Sequence, residues 1–329
     1  MKALNKWFRG LAASAIAAAC AIAVPVSAQN YPGKAVTLIV PFPAGGVTDA
    51  SARLVARKLA EELKQPVVVE NRPGAGASIG ANAVAKAAPD GYTLLVGTMA
   101  NIVVNPYVYK DRLPYDPRKD LAPVHGMMGL PLVIVARADR PYKTIQGVVE
   151  AARKKPQTVT FASAGNGSVA HLAGELFQAE TKSSLVHVPY KGSAPAITDL
   201  LGGMVDLAFD YASTTEQNIK AGKLTGLAVT GNKRLPSLPN VPTLGEAGFP
   251  NAEVTSWIGI FAPAATPAPV LHTLDTAMAT VLKDKEVLDG FAAAGGTALP
   301  LGATEFKGFI ESEHRRWKPV IEKANIQAN

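Results

Sequence analysis

The feature that most constrains this chain is a unit that occurs twice: a short apolar run, a small-residue turn, then a helix. In the first unit Val36–Val40 is followed by Pro41-Phe42-Pro43-Ala44-Gly45-Gly46-Val47-Thr48-Asp49 and helical sequence to about Leu63. The run suits a parallel strand buried on both faces. Pro41 and Pro43 offer no N–H and stop the ladder. Gly45 and Gly46 let the backbone turn tightly and approach a ligand, and Thr48 or Asp49 can cap the helix. A helix start carries free N–H groups and a partial positive charge, which suits an anion. A βα turn that binds nothing is the competing reading. The second unit is Val159–Ala162, the turn Ser163-Ala164-Gly165-Asn166-Gly167-Ser168, and a helix over Val169–Thr181.

Strand and helix signals alternate from Val36 onward, which predicts an α/β fold with largely parallel sheets. Further strands are expected at Val67–Glu70, Tyr92–Gly97, Pro131–Ala136, Val186–Tyr190, Asp206–Phe209, Leu224–Thr230 and Val254–Ala262. The order strand, Pro-containing turn, long helix appears at Pro131 and again at Val254. Two such starts predict two crossings between lobes. Lobe 1 is then residues 29–130 plus 250–329, and lobe 2 is residues 131–249.

Residues 1–28 read as a secretory signal peptide. Lys2, Lys6 and Arg9 precede an apolar run from Leu11 to Val24, and Val26-Ser27-Ala28 forms the cleavage site. The formal charge of +7 drops to +4 when those three cations leave. Cys20, the single cysteine, leaves too, which excludes disulfides and thiolate metal sites from the mature chain. Arg153-Lys154-Lys155 and His314-Arg315-Arg316 are short and helical, so they read as solvated faces and no nucleic-acid partner is expected. The five histidines show no metal spacing, and neither metal nor cofactor is expected.

In open α/β sheets ligands gather at the carboxyl ends of strands. One glycine turn per lobe, facing a shared crevice, would make a clamp of backbone amides with hydroxyls from Thr48 and Ser168. Neither turn carries the Gly-Lys-Ser/Thr of a P-loop, and Gly165-x-Gly167 is only part of a dinucleotide fingerprint. A small carboxylate fits better than a nucleotide. Ser168 and His171 lie three apart on one helix, but no Gly-x-Ser-x-Gly elbow or orienting third group accompanies them, so an enzyme is not expected. Ser168 is read as a cap and ligand donor, and His171 as cleft wall or helix packing. Asp210, at a strand end, either accepts from a ligand donor or caps a helix. Tyr190 either walls the cleft or is a half-buried core aromatic. Thr98 and Asn101, at the end of the third strand, carry the same two readings. Trp257 and Trp317 are read as packing residues.

Several of these motifs, in this order, resemble one family. They are Tyr31-Pro32, Val40–Gly46 with Asp49 and Ala52-Arg53, Val69–Gly76, Pro89–Leu94, Ser163–Ser168 with His171-Leu172, Val188–Gly192, Ile219–Leu224 and Leu227–Thr230. The chain resembles the Bug family of periplasmic solute receptors, the binding components of tripartite tricarboxylate transporters. The resemblance implies a type II periplasmic binding protein fold, two α/β lobes with a ligand cleft between them. It implies a periplasmic receptor that captures a small carboxylate and delivers it to a membrane permease, and a monomer is expected. A sensor protein as membrane partner, or a periplasmic hydrolase using Ser168, are the alternatives. The family's carboxylate-holding roles carry over to Pro43, Ala44, Gly45, Gly46, Thr48 and Asp49, and to Ser163, Ala164, Gly165, Gly167 and Ser168. The chain departs from the commoner pattern after the third strand. Asn101-Ile102-Val103-Val104 precedes Asn105-Pro106 where many members have a Thr-His-Ala-type segment, which leaves the ligand's identity open.

Overall fold

Alternating strand and helix signals become a single mixed sheet in the computed structural model, which describes residues 31–324. The signal-peptide reading lies outside the described residues. The strands are β1 (Val36–Val40), β2 (Val67–Asn71), β3 (Thr93–Thr98), β4 (Leu121–Arg137), β5 (Val159–Ser163), β6 (Leu185–Pro189), β7 (Leu207–Tyr211), β8 (Leu224–Val229), β9 (Thr255–Pro263) and β10 (Thr297–Ala298). The longer helices are α1 (Val47–Leu63), α2 (Ser78–Ala85), α3 (Ile145–Lys154), α4 (Val169–Thr181), α5 (Ser193–Gly202), α6 (Ala212–Lys220), α7 (Ala268–Val281), α8 (Lys285–Ala293) and α9 (Ala303–Lys323). The sheet order is β2-β1-β3-β9-β4-β7-β5-β6, with β10 and β8 also pairing β4.

The sheet is less parallel than the sequence pattern implies. β1 pairs parallel with β2 and β3, and β5 with β6 and β7. The pairings that join these groups through β4 and β9 are antiparallel. Strand β4 also begins ten residues before the run at Pro131. Pro123, Gly126, Gly129 and Pro131 make Leu121–Pro131 read as a non-strand segment. It pairs with β9 throughout, accommodating the breakers by register shifts near Pro123 and Gly126.

This long strand sets the geometry of the molecule. Its first half, Leu121–Pro131, pairs with β9, and its second half, Leu132–Arg137, pairs with β7 and β8. Following the directions across the ladder, β1, β2 and β3 run the same way as β4, while β5, β6 and β7 run against it. The carboxyl end of β3, at Thr98, reaches the level of Met128 through Ile258. The carboxyl end of β7, at Tyr211, pairs with Leu132. Both groups of parallel strands therefore end toward the middle of β4, pointing at one another.

The core supports this junction. Trp257, Phe261 and Phe306 are fully buried and pack edge-on or tilted, with ring centroids 5.4–6.3 Å apart. Trp257 and Trp317 are packing residues, as expected, and both indole N–H groups donate to one oxygen of Glu313 at 3.2 and 3.1 Å. Burial pushes the Glu313 carboxyl up, and the two indoles oppose that shift. The bridge ties α9 to β9 through a polar group that a purely apolar pattern does not reveal.

Candidate functional site

At the end of β1 the chain turns into α1 through Gly46, an extended N-cap residue with φ −79° and ψ 170°. Neither Thr48 nor Asp49 caps the helix, because both lie inside it; no side chain accepts at the cap. Asp49, in the first turn, reaches back instead and accepts from the Gly45 N–H at 2.9 Å. Arg53, one turn on, donates from Nε to both Asp49 oxygens at 3.1 Å. Asn71, at the end of β2, donates to Asp49 at 2.9 Å and to the Phe42 carbonyl at 3.0 Å. Arg53 also donates to the Asn71 side-chain oxygen at 2.9 Å. The Arg53 guanidinium, with the Gly45 and Asn71 donors, holds the Asp49 carboxyl at about 2 against the opposing effect of its burial. Asp49 is thus an anion that shapes the turn from behind. Among the described residues, the amides of Ala44, Gly46, Val47 and Thr48 have no acceptor in the chain. Pro43, Ala44, Gly45 and Gly46 are exposed.

The second turn is built the opposite way. The Gly165 N–H donates to Ser163 Oγ at 3.1 Å, and the Ser168 N–H to the Gly165 carbonyl at 3.1 Å. The Gly167 N–H donates to His171 Nδ1 at 3.2 Å. Ser168 is the N-cap of α4, its Oγ accepting from the His171 N–H at 3.2 Å. Three of the turn's amides are therefore spent inside the turn, and Ala164 and Asn166 are left out of this set. The Ser168–His171 contact is a cap and not a nucleophile–base pair, since the imidazole nitrogen it would need faces Gly167. Gly165 adopts φ +127°, and a Cβ there would lie 2.9 Å from the Tyr190 carbonyl, which explains the glycine.

The remaining predicted residues fall on the same strand ends with internal partners. Thr98 donates from both N–H and Oγ1 to the side-chain oxygen of Asn101, at 2.7 and 3.1 Å, and Asn101 is fully buried. The Tyr190 hydroxyl donates to Asp199 on α5 at 2.8 Å; burial, reinforced by that carboxylate, pushes it up to about 12. Asp210 is buried at the end of β7. Its Oδ1 accepts from the Ser193 hydroxyl and the Tyr211 N–H, both at 2.8 Å, while Oδ2 is buried with no hydrogen bond of normal geometry among the described residues, Thr214 lying near the carboxyl. Burial raises its carboxyl above the usual range. The departing segment at Asn101–Val104 is buried, and its Ile102 lines a cavity of about 580 Å³ with Arg118, Phe261, Lys307 and His314. That cavity contains none of the predicted residues.

Sequence reasoning assigned no role to Arg53, Asn71, Ser193 or His187. Arg53 was legible as the i+4 partner of Asp49. Asn71 and His187 depend on strand pairing: β1 against β2, and Phe161 opposite His187 in the β5–β6 register. His187 Nε2 and Ser163 Oγ share a hydrogen bond at 2.7 Å, and the His187 ring stacks on His171 with centroids 3.8 Å apart.

A mixed sheet whose parallel strands end against each other beside an uncapped helix is a fold this chain shares with solved periplasmic and solute-binding proteins of the Bug and TctC kind. The chain belongs to the Tripartite tricarboxylate transporter family receptor group (TctC), whose profile matches residues 51–326. It is 38% identical to protein BugT of Bordetella pertussis over 310 residues, covering 94% of this chain and 95% of BugT. Two solved structures extend the likeness. Rpa4515 of R. palustris with adipate is 35% identical with a TM-score of 0.77, covering 90% of this chain and 99% of its own. MatC from Rhodopseudomonas palustris with bound malate is 32% identical with a TM-score of 0.72, covering 88% and 100%. The family is one of transporter receptors, and its solved members include periplasmic and solute-binding proteins.

Proposed function

We propose that this protein is a periplasmic receptor that captures a small organic carboxylate where the strand ends converge, and delivers it to a tripartite tricarboxylate-type membrane permease. The observation that carries this reading is the set of unspent amides at the start of α1, in a family whose solved members include structures with adipate and malate. Amides at a helix start, with its partial positive charge, suit one carboxylate group. Ala44, Gly46, Val47 and Thr48 donate to it, while Asp49, Arg53 and Asn71 hold the turn from behind. Asp49 is kept from repelling the ligand by its ion pair with Arg53. From the other side, Ser163 to Ser168 supplies a rigid wall with Ala164 and Asn166 facing the ligand. Asp210 Oδ2 accepts from a ligand hydroxyl, as in a hydroxy acid. Thr98, Asn101 and Tyr190 keep the strand ends in place.

The lobes in this reading are residues 29–130 plus 250–329, and residues 131–249, with the ligand drawing them together about β4 and β9. The test is a thermal-shift and calorimetric screen of mono- and dicarboxylates, adipate and malate included. A receptor of this kind raises its melting temperature with ligand concentration. A flat response to every carboxylate overturns the reading.

A further inference from the structure

His187 is sandwiched. Phe161 stacks on the ring at 4.9 Å between centroids, and His171 lies at 3.8 Å with planes 12° apart. Each imidazole also holds one arm of the second glycine turn. His187 Nε2 bonds Ser163 Oγ, which in turn accepts the Gly165 N–H; His171 Nδ1 accepts the Gly167 N–H. A backbone N–H can only donate, so Nδ1 of His171 must be the bare nitrogen in this geometry. A proton on Nδ1 would set two donors against each other. Two rings this close cannot both carry charge cheaply, since like charges in contact repel strongly away from water.

Among the described residues, the charged groups around the pair are few. On α4 itself, Glu175 lies 3.7 Å from His171 Nε2. From α9, Lys323 shares a cavity with Glu175. Strands β5 and β7 present Phe161, Ser163 and Phe209, and Phe249 packs on α4 through Phe177; none of these titrates at neutral pH. Burial, then the neighbouring His171, pushes the His187 imidazole down to about 4.

We infer that His171 and His187 are positioning residues for the second glycine turn, and that the turn keeps its ligand-facing shape only while His171 Nδ1 stays bare. This rests on the receptor reading, because the turn is taken to be one wall of the carboxylate site. The neutral pair locks Gly165 and Gly167 inward, leaving the Ala164 and Asn166 amides as the wall's donors. A proton on His171 Nδ1 frees the Gly167 arm and the wall loses its shape, whereas a charged His187 still bonds Ser163 Oγ and acts only through the ring stacked on it.

The test compares the full-length mature protein with three variants, using malate and adipate as probes in calorimetry from pH 8 to pH 4. Where a proton on His171 Nδ1 must leave before binding, wild-type affinity falls by about tenfold per pH unit on acidification. The probes' own carboxyls titrate in the same range, and the variants subtract that contribution. His171→Leu lowers affinity at every pH. His171→Asn, whose Oδ1 stands where Nδ1 was, recovers most of that loss. Combined with His187→Gln it leaves a shallower pH slope than wild type. A slope equal to wild type in the double variant, or wild-type binding by His171→Leu, overturns the inference. Nitrogen NMR of the ligand-free protein reads the same point without a probe. The inference expects a bare Nδ1 at His171 at pH 7.5, and a Gly167 amide signal that moves as the rings titrate. A protonated Nδ1 at pH 7.5, or a Gly167 signal indifferent to the titration, overturns it. If no carboxylate binds at any pH, the receptor reading fails, and the NMR result decides the histidine pair alone.

Discussion

The two glycine turns have the same local plan and opposite hydrogen-bond accounts. At Pro43–Thr48 the helix start is uncapped, and one amide, that of Gly45, is spent on Asp49. At Ser163–Ser168 the helix is capped by Ser168, and Gly165, Gly167 and Ser168 spend their amides within the turn. The first turn is stiffened from behind, by Asp49, Arg53 and Asn71, so that its donors stay free. The second is stiffened from within, so most of its donors are used up. A sequence reading that treats both as equal anion seats therefore overcounts the second. In the proposed receptor the pair makes an asymmetric clamp, a donor-rich anchor against a rigid wall.

The sharpest way to break this contrast is to add a Cβ to each turn. Gly165→Ala meets the Tyr190 carbonyl at 2.9 Å from a backbone at φ +127°, so it should cost about 3 kcal/mol in urea unfolding. Gly45→Ala, at φ +88° with nothing within 4 Å, should cost only about 1 kcal/mol. Equal costs would mean the turns are equally rigid. Next in size is the anchor's chemistry. Val47→Pro removes one first-turn amide at a helix position that tolerates proline, after a residue already extended. Carboxylate affinity should fall by about 1.5–3 kcal/mol, measured by calorimetry, with the fold retained by circular dichroism. Unchanged affinity would move the anchor elsewhere.

Ser168→Ala should cost about 1 kcal/mol of stability by removing the cap of α4. The same change at Thr48 should cost less, since Thr48 caps nothing. Smallest near neutrality is the acid response of the wall. His187 has a folded value of about 4, below its ordinary 6.5, so the unfolded chain binds the proton first. Stability should fall as pH drops from about 6.5 toward 4, and His187→Gln should flatten that part of the unfolding profile. The anchor responds later. Asp49 titrates at about 2 when folded and 3.8 when unfolded, so its contribution is present above 3.8 and lost as pH falls toward 2. Asp49→Asn should remove that lower limb and leave the upper one.

Much of the element order was legible because local rules fix it. The helix expected over Val169–Thr181 has those ends, set by Ser168 as cap and Lys182 in the left-handed conformation after it. The strand at Leu224 and the irregular stretch after Lys233 follow from β-branched and Pro/Gly content in the same way. The start of β4 was not legible, because Pro123, Gly126 and Gly129 are breakers by any local rule, and only pairing with β9 overrides them.

The chain's own sequence thus determined two strand–turn–helix units, the glycines their turns require, and the family to which they belong. It did not decide what each turn can donate. Asn71 reaches Asp49 across 22 residues, and His187 reaches Ser163 across 24. Such partners are chosen by strand order and register, which depend on the whole sheet. A free amide and a spent one look alike in sequence, and only the tertiary structure tells them apart.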